Sequence, residues 1–197
     1  MKEKDYAGEI AKSFRELWPA AFYTKIPDAQ ISPTLRAQGI GAPIARPFDA
    51  FAVSNGLFCA LEYKIHKALT GFALDHIRPI QRLSLAKVEN NGCAAGIVIN
   101  IRVKREVVKK RYASAKSGYN STLVIPYHHW AVYEEYKRQC NSKSIPFKDM
   151  ISANIPGAWV CPRVKLPNKT YGWDVENMFK YLTTGIMPAP AQPNLFT

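Results

Sequence analysis

Apolar positions along the chain follow two periods. Tyr6, Ile10, Phe14 and Leu17 recur at helical spacing through residues 3–18, and Pro19 closes that segment. Residues 20–26 read as a short strand. In residues 47–67, two apolar, β-favouring runs flank Asn55-Gly56, the dipeptide suited to a two-residue type I′ turn because both central positions need positive φ. That pattern predicts a β-hairpin. Counting outward from the turn sets Ser54 against Leu57, Val53 against Phe58, Phe51 against Ala60 and Asp49 against Glu62. Side chains alternate along a strand, so Lys64 shares the face of Glu62.

The remaining elements follow from the same periodicities. Asp75 offers a helix cap and Pro79 suits a first turn, so a helix is expected over 75–90, stopped by Asn91-Gly92. Gln81, one turn before Leu85, falls near its apolar margin. Residues 92–103 hold a near-continuous β-branched run, the mark of a central strand covered on both faces. Hairpin, helix and strand in succession predict a mixed sheet with a right-handed crossover. Further strands are expected over 122–125 and 158–161, and helices over 130–138 and, capped by Asp174, over 174–182.

Two stretches break the pattern. Residues 28–46 carry Pro33, Gly39, Gly41 and Pro43 with Arg36 and Arg46 as charges, longer than an ordinary connection and therefore either functional or poorly ordered. After Gly185 the chain is rich in proline. The expected organisation is a single domain over residues 1–185, with 28–46 inserted in it and 186–197 a flexible tail.

Composition turns this outline toward a partner. The 197 residues include 47% hydrophobic ones, enough for a real core, and 27 Lys and Arg against 15 acids give a net charge of +12 and favour a polyanion. The charge concentrates at Lys104, Arg105, Lys109, Lys110, Arg111 and Lys116, interleaved with Val107, Val108 and Tyr112, a phosphate-tracking pattern. No apolar run is long enough to span a membrane and residues 1–6 lack the apolar core of a signal peptide, so a soluble cytoplasmic protein is expected. Cys59, Cys93, Cys140 and Cys161 stand apart, without the spacing of zinc or redox sites, and read as reduced, mostly buried small hydrophobes. His128 and His129 diverge on any regular element and have no third ligand at a useful spacing.

The hairpin carries the candidate chemistry. Like charges directly across a strand pair destabilise it, so a cation between Asp49 and Glu62 is expected, and a hard divalent ion such as Mg²⁺ fits oxygen ligands. A solvated hairpin edge bearing three charges accounts for the same pattern. On the first helix, Glu9, Ser13 and Glu16 form the strip beside the apolar stripe, where an acid either points into a site or is simply solvated.

Asp49, followed after a gap by Glu62-Tyr63-Lys64, resembles the D…E-x-K core of the PD-(D/E)XK nuclease superfamily, with Phe48-Asp49 where its Pro-Asp would stand. With Asn55-Gly56, Phe72-Ala73-Leu74, His76, Gln81, Gly92 and Ile97-Val98-Ile99, the chain is similar to RecU-type Holliday-junction resolvases. Residues 22–27, 142–145 and 148–150 extend the likeness, and residues 28–46 occupy the place of that family's projecting stalk. The resemblance implies an α/β restriction-endonuclease-like core, a central mixed sheet flanked by helices, in a dimeric, Mg²⁺-dependent endonuclease for which Mn²⁺ can substitute. It implies action on four-way DNA junctions in recombination, repair or phage DNA processing, in a bacterial cytoplasm or an infected host, without a small-molecule cofactor or membrane partner.

By that resemblance Asp49, Glu62 and the Tyr63 carbonyl would hold the metal. Lys64 would activate water, Gln81 would contact the water or Lys64, and Glu9 would supply the first-helix acid, with Asp5 and Glu16 as competitors. Arg36, Arg46, Lys67, Lys104, Arg105, Lys109, Lys110 and Arg111 would meet DNA. The alternatives are a related endonuclease acting on linear duplex and a DNA-binding module of the same fold without chemistry.

Overall fold

Asn55 (φ 50°) and Gly56 (φ 75°) both adopt left-handed backbone, as a type I′ turn requires, and the hairpin closes around them. In the computed structural model, which describes residues 3–27, 46–114 and 118–188, its arms are β2 (Ala50–Ser54) and β3 (Leu57–His66). Their ladder matches the count outward from the turn as far as Ala50↔Leu61.

On one side of the hairpin β1 (Phe22–Lys25) pairs antiparallel with β2. On the other, β5 (Ala94–Val103) pairs parallel with β3, then antiparallel with β6 (Tyr119–Pro126), which pairs antiparallel with β8 (Trp159–Cys161). The six-stranded sheet therefore runs β1-β2-β3-β5-β6-β8 and is mixed. Two small pairings stand apart from it: β4 (Phe72–Ala73) with β7 (Ser144–Ile145), and β9 (Arg163–Lys165) with β10 (Tyr171–Trp173).

Alternation along the strands splits the core in two. Leu61, Tyr63, Val98 and Val124 face one side, where they meet α1 (Glu3–Leu17) through Tyr6, Ile10 and Phe14 and the C-terminal helix through Met178 and Phe179. Ala60, Ile97, Ile99, Leu123 and Ile125 face the other, covered by α2 (Pro79–Asn90) through Leu85 and by α4 (Tyr127–Gln139) through Trp130. The result is a three-layer α/β architecture, a central mixed sheet flanked by helices. Gly96 sits in β5 where a Cβ would meet the Leu182 side chain at 2.6 Å, so the small residue lets the last helix lie close to the sheet.

The structure corrects two expectations, the start of the second helix and the burial of the cysteines, and adds two helices. The helix begins at Pro79, not Asp75, because the residue before a proline is pushed to extended backbone; Arg78 (φ −69°, ψ 153°) is the cap and a separate 3₁₀ turn holds Leu74–His76. Asp75 turns away to Arg138 and Arg82. The basic ribbon after β5 contains a helix, α3 (Arg105–Arg111), seated by Val108. Residues 147–151 form a further short helix, α5 (Phe147–Ile151), which no pattern in the sequence marked. All four cysteines are free, but only Cys59 and Cys161 are buried.

The last helix, α6 (Val175–Thr184), matches its expected signals: Asp174 accepts from Asn177 N at 3.2 Å and Gly185 (φ 70°) ends it left-handed. Removing a side-chain cap typically costs about 1 kcal/mol. Asp174→Ala should lower stability by about that amount in urea melts, with an unchanged far-UV circular dichroism spectrum.

Candidate active site

β2 and β3 part where the first acid stands. At Ala50↔Leu61 the ladder stops, and Asp49 N donates to Leu61 O at 3.0 Å. Asp49 therefore does not sit in a simple pair across from Glu62, as the turn count predicted. Its carboxylate Oδ2 instead accepts from Tyr63 N at 2.9 Å, taking the place of the backbone acceptor that β2 would have supplied. On its other flank Asp49 O accepts from Ile26 N, which ties the site to the exit of β1.

Glu62 points to the α2 side of the sheet and is completely buried. Its Oε1 receives the Lys64 ammonium at 2.7 Å and the Gln81 side-chain amide. Its Oε2 is buried with no hydrogen-bond partner. Burial first, and the neighbouring Asp49 second, push the Glu62 carboxyl up to about 7, against the opposing pull of Lys64.

Gln81 is the residue whose role changes most. It is buried at the third position of α2, where its Oε1 accepts from Arg78 N at 2.9 Å and its Nε2 donates to Glu62. One amide thus caps the helix and holds the acid, and its contact is with Glu62 rather than with Lys64. The signal was present in the sequence as Pro79 followed two residues later by Gln81, the first-turn proline and third-position Gln of a capping arrangement.

Arg46 lies against Asp49 as well, Nη2 to Oδ1 at 3.3 Å, with Nη1 3.4 Å from Ile26 O. Two carboxylates, one lysine and one arginine therefore converge where β1, β2 and β3 meet. The oxygen set fits a hard divalent cation: the Asp49 carboxylate, the bare Glu62 Oε2 and the Tyr63 carbonyl. A strand residue directs its N–H and C=O to the same side, so the Tyr63 carbonyl, like its N–H, points to the gap left by β2. Unpartnered buried carboxylate oxygen is costly, and a metal or a proton is what relieves it.

Other expected site residues are placed elsewhere. Glu9 lies on α1, on the opposite face of the sheet, where Arg102 Nη1 and Nη2 reach its two oxygens at 3.2 and 2.9 Å and Trp173 Nε1 donates at 3.3 Å. Glu16 accepts from Asn168 Nδ2. The Asp5 side chain and Arg36 lie outside the described residues. Lys67, just past β3, and Lys104, Arg105, Lys109, Lys110 and Arg111 are exposed on the same end of the molecule. Arg111 Nη1 reaches Leu69 O at 3.3 Å and so joins α3 to the loop after β3.

The chain is thus a mixed α/β domain whose carboxylate–lysine cluster sits at the splayed end of its central hairpin. No protein-family model matches the chain, and no curated protein matches it. Among solved structures, it is similar to that of Archaeoglobus fulgidus Hjc, a Holliday junction resolvase from an archaeal hyperthermophile, at 17% identity and a TM-score of 0.32 over 64% of this chain and 75% of that one. At that similarity no residue role passes from that protein to this chain.

The raised Glu62 carboxyl has a consequence for stability. A group that holds its proton more tightly folded than unfolded contributes stability below its ordinary value of 4.5 that is lost as pH rises through about 7. The loss at full ionisation is about 3 kcal/mol. Urea melts of metal-free protein should show stability falling between pH 5 and pH 8, and Glu62→Gln should flatten that fall; parallel pH profiles for the two proteins would contradict the buried, unpartnered carboxylate.

Proposed function

We propose that this protein is a metal-dependent endodeoxyribonuclease that cuts four-way DNA junctions as a homodimer. The observation that carries the reading is the buried Glu62 carboxylate, with one oxygen held by Lys64 and Gln81 and the other bare, beside Asp49. The similarity of residues 47–99 to RecU-type resolvases and the net charge of +12 supply the substrate class.

Asp49, Glu62 and the Tyr63 carbonyl would hold Mg²⁺, which when bound polarises the scissile phosphate and lowers the pKa of a coordinated water. Lys64 is one-eighth exposed at its side chain, enough to meet substrate while keeping its bond to Glu62. From there its ammonium orients the attacking water and offsets negative charge that gathers on the phosphate oxygens. Gln81 keeps Glu62 from rotating, so the bare oxygen stays aimed toward Asp49. Arg46, bound to Asp49, neutralises that carboxylate in the absence of substrate and can turn to a phosphate when DNA arrives. Lys67 and the exposed bases of α3 position flanking phosphates and read no sequence.

Cleavage of a synthetic mobile junction with Mg²⁺, mapped on each strand and set beside linear duplex of the same sequence, tests the reading. Paired symmetric nicks on the junction alone support it, whereas equal cutting of linear duplex assigns a different nuclease activity. Asp49→Asn and Lys64→Ala should bind the junction within about threefold of wild type and lose cleavage by at least about a thousandfold. Binding should weaken steeply between 50 and 200 mM salt, by roughly tenfold or more if only a few phosphates are contacted.

A further inference from the structure

Immediately beyond Lys64 the same face of β3 opens into a groove of about 700 Å³, lined by His66, Lys67, Thr70, Gly71, Ala73 and His76. Its volume is in the range that holds a nucleotide-sized ligand. None of the lining residues is acidic. Asp75, the acid next to it in sequence, is paired with Arg138 and Arg82. Lys67 is exposed at the rim, and Arg111 fastens the adjoining Leu69 carbonyl, which brings the basic helix α3 alongside.

The floor of the groove is rigid. His66 is buried, its Nε2 lies 2.8 Å from Thr70 O, and its ring packs against Phe72 and Phe147 at 6.0 and 6.2 Å. That ring nitrogen is occupied by the loop it closes, which disfavours a metal-ligand role. Gly71 lets β4 approach β7 closely, since a Cβ there would stand 2.8 Å from Ser144 Oγ and 2.9 Å from Ile145 O. His76 differs from His66: its ring stands edge-on to Phe72 at 4.9 Å, while the residue is exposed. Phe72 thus braces an aromatic surface that faces solvent beside a lysine.

An aromatic face, a lysine and an acid-free wall are the features that take a base and its phosphate from a single strand. Glu62, Lys64 and His66 lie on one face of β3, and two residues of strand advance about 7 Å, so along the backbone the groove begins about one nucleotide's length beyond Lys64. We propose that this groove seats the nucleotide next to the scissile phosphate on the cut strand, with its base against the His76 ring and its phosphate at Lys67. The assignment rests on the nuclease reading and adds to it a defined subsite, contacted through stacking and charge rather than through hydrogen bonds to base edges. Such a subsite prefers a locally unpaired base, because a base within a duplex stack has no face to offer.

The test uses the full chain and junctions in which single bases near the mapped cut are removed one at a time, leaving the backbone intact. Affinity is read by fluorescence anisotropy without divalent ion, and cleavage rate with Mg²⁺. For wild type, loss of the one base adjacent to the cut should weaken binding or slow cleavage about tenfold, toward the low end of base–aromatic stacking. His76→Ala should be weaker by about the same factor on the intact junction and indifferent to the missing base. His76→Phe, which keeps a stacking face, should restore the wild-type pattern. Lys67→Ala should weaken all the substrates alike and reduce the salt slope by about one.

If His76→Ala remains as sensitive to the missing base as wild type, or no base position matters to wild type, the subsite assignment is wrong while the nuclease reading stands. If wild type neither binds nor cuts any junction, both fall together. Thermal unfolding of each variant separates these results from misfolding, and the exposed His76 and Lys67 positions should leave the melting temperature within a few degrees of wild type.

Discussion

Everything at the candidate site depends on one constraint: a carboxylate with no exposure to water and one unsatisfied oxygen. Burying a charge is costly unless it is paired and hydrogen-bonded, and Glu62 has both kinds of partner on one oxygen only. The sheet supplies the burial, since β3 runs between β2 and β5 with helices on both faces. The hairpin turn supplies the neighbour, since the ladder that starts at Asn55-Gly56 ends beside Asp49. Burial and the neighbouring Asp49 thus raise the Glu62 carboxyl to about 7, so it holds its proton into the neutral range.

The surrounding structure keeps that constraint from relaxing. Gln81 links Glu62 to the start of α2, so turning the acid away would leave the buried Gln81 amide donor without its partner. Asp49 satisfies Tyr63 N, so moving that carboxylate would strand a backbone donor. Each side chain in the cluster thus does a structural task in addition to the chemical one proposed for it, and preorganisation follows from the backbone hydrogen bonds that they complete.

The sequence made much of this legible. The two-residue turn set the hairpin register by counting as far as Ala50↔Leu61, the alternation put Glu62 and Lys64 on one face, and the β-branched run within residues 92–103 marked the central strand, observed as Ala94–Val103. What it could not show were pairings made across long separations. Local spacing left Glu9 open either to a site or to solvent, and only the sheet order brings Arg102 to it. Likewise the splay at Asp49 is set by the exit of β1 through Ile26, which no count from the turn contains. The helix within the basic ribbon was hidden because its charges dominate a segment with one buried anchor, Val108.

Thermal unfolding at pH 8 with and without Mg²⁺ measures the central claim most directly, because it reads ion binding without requiring turnover or DNA. Mg²⁺ should raise the melting temperature of wild type in a saturable way, as a ligand bound by the folded state alone must. Asp49→Asn should show little of that rise. Equal Mg²⁺ responses from the two proteins, or none from wild type at millimolar concentration, would contradict a cation site built on Asp49 and Glu62.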